Sequence, residues 1–221
     1  MANSNTPFGF KPVQSGTGAP GGSPRITWYP LLTTNAAMAV GDPCAKGASG
    51  VDRFGTTGAV TSGQVVGVVA GFRQRSGAGY PNSSTGGSTP ERTYVAASIG
   101  AGWEVGVYDD PFQWFEVQCD DGAITGTTYV AETEIGRTAD VMAAAPTQFS
   151  TTTGRSNYEL DTSSADDDVN APAPLIIMGI SRAVGNVADG TSASEFAKVI
   201  VMFTNHFNKG GAAANSLDFG V

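Results

Sequence analysis

The run Phe112-Gln-Trp-Phe-Glu-Val-Gln-Cys119 alternates residue by residue. Phe115, Val117 and Cys119 share one side of an extended chain, while Trp114, Glu116 and Gln118 share the other. A period of two belongs to a β-strand with a buried face and a more polar one. Asp109-Asp-Pro111 and Asp120-Asp-Gly122 bracket the run with turn chemistry. Working outward, Ile26 to Leu32 reads as a second strand, with Pro30 assigning it to a sheet edge. The β-branched run Gln64-Val-Val-Gly-Val-Val-Ala-Gly-Phe72 is too rich in glycine for a stable helix and reads as a buried strand.

Leu175 to Val184 and Phe196 to Phe207 read as a terminal hairpin. Each contains consecutive large apolar residues, Leu175-Ile-Ile-Met178 and Val199-Ile-Val-Met-Phe203, which predicts cover on both faces. Tyr129 to Ala144 has room for one more strand, and Ala139 to Ala145 for a short helix stopped by Pro146. The class is therefore all-β: a sandwich or jelly-roll-like barrel, because layering and closure deal with exposed edges. Long Gly/Ser/Pro-rich loops and extended termini complete it.

The chain divides into an N-terminal arm (1–25), a β-rich body (26–207) and a C-terminal tail (208–221). Polar stretches at 76–89 and 150–174 read as long loops, with room for a small protruding lobe. In the arm, Pro7 and Pro12 forbid helix and extend the chain around Phe8, Phe10 and Val13. Two readings of that arm stand side by side: first strand of the body's own sheet, or an arm that docks on a neighbour. In the tail, Leu217, Phe219 and Val221 alternate after a Gly/Ala spacer, a pattern suited to adding a strand to a neighbour or to fraying.

Composition excludes several classes. The formal net charge is −8, and only Arg73 and Arg75 sit close together among the basic residues. A phosphate backbone would repel such a chain, so no direct nucleic-acid partner is expected. Met1 to Phe10 lacks the basic and apolar regions of an export signal, and no run approaches the ~18 residues that cross a bilayer, so no membrane partner is expected. Charged residues make up 14% of the chain against 40% apolar, which leaves weakly charged surface for protein contacts.

Catalytic and cofactor chemistry finds little foothold, and the chain is read as a non-enzyme with no cofactor and no metal. Cys44 and Cys119 are too far apart for a metal or redox pair and read as buried reduced thiols. Gly16-Thr-Gly-Ala-Pro-Gly21 satisfies a dinucleotide fingerprint in letters only, since no strand precedes it and no helix follows. His206, the single histidine, has no GxSxG elbow to serve and reads as a structural core residue. Asp166-Asp-Asp168 lacks EF-hand spacing and reads as a solvated loop. Trp114, on the polar side of its strand, reads either as an exposed interface residue or as one packed under a loop.

Taken in order, Asn5-Thr-Pro-Phe-Gly-Phe-Lys-Pro-Val13, Ala39-Val-Gly-Asp-Pro43, Gln64-Val-Val-Gly-Val-Val69, Asp109-Asp-Pro-Phe112, Trp114-Phe-Glu-Val-Gln118 and Leu175-Ile-Ile-Met-Gly179 form one ordered layout with no internal repeat. This layout resembles the structural cement, or head decoration, proteins of tailed bacteriophages. The resemblance touches most of the chain through short motifs. It implies a noncatalytic protein on the outer surface of the capsid, assembled in the bacterial host cytoplasm, with the major capsid protein as partner. It also implies a homo-oligomer, with trimers placed ahead of dimers. Phe8, Phe10, Val13, Trp114, Leu217, Phe219 and Val221 are the expected partner-interface residues, and deleting residues 1–13 is expected to weaken attachment while leaving the fold intact. A phage tail-tube or tail-fibre protein and a carbohydrate-binding module built on Trp28, Trp103 and Trp114 are the alternative classes.

Overall fold

A computed structural model describes residues 3–15, 24–33, 35–47, 50–54, 65–74, 92–98, 101–120, 130–143, 149–150, 153–166 and 173–209. Among these described residues fifteen strands run in chain order: β1 (Lys11–Ser15), β2 (Ile26–Pro30), β3 (Met38–Ala39), β4 (Pro43–Lys46), β5 (Val51–Arg53), β6 (Val65–Gln74), β7 (Tyr94–Val95), β8 (Trp103–Tyr108), β9 (Gln113–Gln118), β10 (Thr138–Ala143), β11 (Phe149–Ser150), β12 (Arg155–Ser156), β13 (Tyr158–Asp166), β14 (Leu175–Ile180) and β15 (Lys198–Phe203). They build a six-stranded antiparallel sheet in the order β1-β9-β15-β14-β10-β13 and a five-stranded one in the order β2-β8-β6-β4-β5. Two short ribbons, β3-β7 and β11-β12, complete the all-β, sandwich-like body.

The six-stranded sheet curls. A bridge between Cys119 and Leu160 brings its last strand, β13, back to the end of β9, and Asp120 N–H donates to Leu160 C=O at 3.1 Å. Inside the curl lie Phe115, Val117 and Cys119 from β9 with Leu175, Ile177, Val199, Val201 and Phe203 from the hairpin. Phe54, Val65 and Val68 from the other sheet close the open side. The second core lies on the far face of β6, where Val66, Val69 and Phe72 meet Leu31, Met38, Trp103 and Val107. Both faces of β6 are thus buried, as its β-branched run predicts. The sides switch through an irregularity at Gly67, whose φ of +150° lets the strand jog without a side chain striking Tyr108 C=O.

Three expectations need correction. The polar stretch 150–174 is not one loop, because it contains β12 and the nine-residue β13. Its buried positions include Thr162 and Ala165 beside Tyr158 and Leu160, so hydrophobicity alone hides the strand. The short helix expected at Ala139 to Ala145 is instead strand β10, hydrogen-bonded between β13 and β14; pairing on both sides overrides alanine's local helix preference. The third concerns the arm. Its described part belongs to this chain's own body: β1 pairs with β9, and Phe10 is 2% exposed against Phe115 and Phe203, at ring-centroid distances of 6.3 and 5.4 Å. Phe10 is therefore a core residue and not a partner contact.

The expected edge position of β2 and the antiparallel pairing of β14 with β15 are both present. The loop at 76–89 lies outside the described residues, as do Leu217, Phe219 and Val221 and the tail beyond residue 209.

Candidate functional site

The N-terminal segment is clasped along its length. Asn3 Nδ2 donates to Val187, Glu195 and Ala193 carbonyls at 2.9, 3.0 and 3.2 Å, and its Oδ1 accepts from Val187 N–H at 2.9 Å. Thr6 N–H donates to Gln118 Oε1 at 3.2 Å, while Gln118 Nε2 donates to Asn5 Oδ1 and Glu159 Oε1. This explains why Gln118, on the nominally polar side of β9, is fully buried. Phe8 is half-buried with Lys198 Nζ 5.8 Å from its ring centroid. Phe10 N–H then donates to Gly41 C=O at 2.9 Å, joining two of the motifs singled out in the sequence.

The other side of the hairpin strands shows what the sequence could not. Leu175 and Ile177 point into the core, and Ile180, past the irregularity at Gly179, packs against it, but Ile176 and Met178 are only partly covered, as is Ile200 between buried Val199 and Val201. Cover on both faces, expected from the consecutive apolar residues, is only partial: Met202 is buried on the outer side, while Ile176, Met178 and Ile200 are half-covered. On the outer side of β1, β9, β15 and β14 lies an open groove of about 740 Å³ with a mixed polar and apolar lining. Val13, Trp114, Met178, Ile180 and Ile200 line it with Ile135, and Glu132 and Arg182 add charge. Val13 and Ile135 are 43% and 48% exposed.

Local chemistry fixes the groove's parts. Trp114 sits opposite Gln14, just past the irregularity that turns Val13 outward. Ile135 follows a 3₁₀ turn (Glu132–Glu134) held by a 2.8 Å ion pair between buried Glu134 and Arg137. Glu116, at the edge of the same face, accepts from Ser181 Oγ and lies 3.7 Å from Lys11 Nζ. The sequence signalled Val13 and Trp114, and the fold brings them together. It gave no signal for Ile135, and it placed Met178 and Ile200 under cover.

Other candidates resolve differently. Cys44 and Cys119 are buried and unpaired, and burial pushes both thiols upward, away from reactivity. Arg73 lies over the Trp28 ring at 4.1 Å and Arg92 over Trp103 at 4.7 Å, so guanidinium groups occupy ring faces that a sugar would need. Among the described residues, no three of His, Cys, Asp or Glu are grouped to hold a metal ion, and no helix is long and apolar enough to cross a membrane. No protein-family model, no curated protein and no solved structure matches this chain.

Two buried titratable groups oppose each other in their effect on stability. Burial lifts the Asp42 carboxyl from 3.8 to about 7, despite bonds from Ala39 N–H and Ser156 and the charge of Arg53. The unfolded chain ionises first, so this group's contribution falls as pH rises between about 4 and 7, by about 4 kcal/mol in all. Burial, with Lys209 nearby, lowers His206 from 6.5 to about 4, while its Nδ1 accepts from Asn208 N–H at 3.1 Å. Here the unfolded chain takes up the proton first, so stability falls as pH drops from about 6.5 to 4, by about 3 kcal/mol. The two slopes nearly cancel in the native protein. Asp42→Asn is expected to expose the histidine's slope, with urea midpoints rising from pH 4.5 to 7; a flat series would contradict the assignment.

Proposed function

We propose that this chain is a noncatalytic structural protein of a tailed-bacteriophage virion, a cement or decoration protein on the outside of the head. In this reading it binds the major capsid protein and holds neighbouring capsid subunits together, so that extra contacts must break before the shell opens. The exposed apolar side chains of Val13 and Ile135, with half-covered Trp114 and Ile200 in the same open groove, carry the reading, because apolar side chains left in contact with water favour a protein contact. The ordered run of motifs across most of the chain supports it. A net charge of −8 suits a surface turned away from packaged DNA.

The test is cosedimentation of the purified protein with expanded heads that lack accessory proteins. Saturable binding, at a copy number set by the symmetry positions of the shell, is the expected result. No binding to correctly expanded heads overturns the proposal and favours a tail or glycan role. Attachment is also expected to survive EDTA, and its loss there would reveal a metal requirement that this reading lacks.

A further inference from the structure

We propose that Asp42 is a proton-operated latch on the N-terminal segment: while its carboxyl holds a proton the segment stays shut against the body, and loss of that proton loosens it. The inference is independent of the capsid reading.

Burial and bonding make the latch. Asp42 is fully buried in the turn between β3 and β4. Its Oδ2 accepts from Ala39 N–H at 2.9 Å and Ser156 bonds the group as well, but no donor among the described residues reaches Oδ1. An ionised carboxylate shut away from water needs more compensation than this. The groups packed around it do not supply it. Arg53 on β5 favours the charged form, yet its Nη1 is given to Ala37 C=O at 2.7 Å, and Asp52 beside it carries the opposite charge. Burial keeps Cys44 on β4 and Tyr158 on β13 neutral. β12 leaves Arg155 exposed, β6 meets the turn through Val69, and neither β3 nor Phe8–Phe10 carries an ionisable side chain. The charged form is therefore favoured only where water enters.

The N-terminal segment is the wall that lets water in. β4 is hydrogen-bonded between β5 and β6, and Val69 N–H holds Asp42 C=O at 2.9 Å. Residues 8–10 belong to no strand. They meet the turn through the bond from Phe10 N–H to Gly41 C=O and through Gly9, which packs on Ser156 and Gly41. Ser156 thus touches the carboxyl and the segment together. Lifting the segment takes Phe10 out of the core, so the open form is a minor state whose population the proton sets.

Burial pushes the Asp42 carboxyl up to about 7 in the closed form, against 3.8 when hydrated. Opening therefore grows as pH rises through this window and levels above about 7, where both forms are ionised. Local opening hydrates Asp42 but leaves His206, bridged to Val65, in place. The segment then follows the aspartate alone, whereas global unfolding follows both groups and changes little.

Hydrogen–deuterium exchange of the full-length protein between pH 4.5 and 8, corrected for the chemical exchange rate at each pH, tests this. Opening at residues 3–13 and 39–44 is expected to increase about a hundredfold from pH 4.5 to 7 and then to level, while the hairpin 175–203 changes far less. Asp42→Asn, which keeps the shape and cannot ionise, is expected to abolish the increase. A flat series in the native protein, an equal increase in the hairpin, or an increase that persists in Asp42→Asn overturns the inference. Should the variant fail to fold, the native series decides alone, through the contrast between the segment and the hairpin.

Discussion

Gly9→Ala is expected to lose more than about 3 kcal/mol of stability, because the new methyl has nowhere to go. Gly9 is buried at φ +70°, and a Cβ built there overlaps the Ser156 side chain and comes within 2.7 Å of Gly41 C=O. Neither neighbour can step aside. Gly41 C=O is held by Phe10 N–H, and Ser156 N–H is tied to Val40 C=O at 3.0 Å. The clash therefore falls at the junction where the N-terminal segment, the Gly41-Asp42 turn and β12 meet. For a chain of this size the loss amounts to roughly 6–12 °C in melting temperature. Gly136→Ala is the control: φ is +97°, but nothing lies within 4 Å of the added carbon. There only backbone strain remains, about 1 kcal/mol. Equal losses at the two positions would show that crowding at Gly9 contributes nothing.

Phe10→Ala is expected to cost about 3–5 kcal/mol, the range for deleting a fully buried aromatic side chain. Phe10 packs in a three-ring cluster in which Phe115 and Phe203 also meet each other at 5.7 Å. Phe8→Ala should cost far less, since that ring is half-buried and its cation contact with Lys198 is long. Denaturant titration separates the two, and similar losses would contradict the placement of Phe10. The same geometry changes what a truncation does. Removing residues 1–13 takes away Phe10, the Asn3 clasp and most of the strand beside β9, so it is expected to unfold or strongly destabilise the protein. Attachment to capsids cannot then be read from that deletion, and groove substitutions are the better probe.

Much of the fold was legible because strand patterns are local. Phe115, Val117 and Cys119 announced the buried side of β9, Pro30 marked an edge strand, and the glycine-punctuated valines of β6 marked a buried one. β13 escaped because its inward set includes Thr162 and Ala165, whose burial depends on neighbours supplied by β9 and β10. Gln118 escaped for a related reason: its amide is satisfied by Asn5, Thr6 and Glu159, residues far away in the chain. Of the candidate interface residues, Val13 and Trp114 share the groove, Phe10 went to the core, and the three tail residues lie outside the described chain.

By itself, the sequence determined an all-β body, the extended N-terminal segment, the buried thiols and the acidic, weakly charged surface. Alternation and turn chemistry act over a few residues, and composition needs no geometry. Only the tertiary structure decided which strand faces are covered. Leu175-Ile-Ile-Met178 and Val199-Ile-Val-Met-Phe203 are apolar on both sides in either case, and the letters cannot say whether a second layer lies over each side. Cover comes from segments distant in the chain, and here that layer is only partial over Trp114 and Ile200 and leaves Val13 exposed.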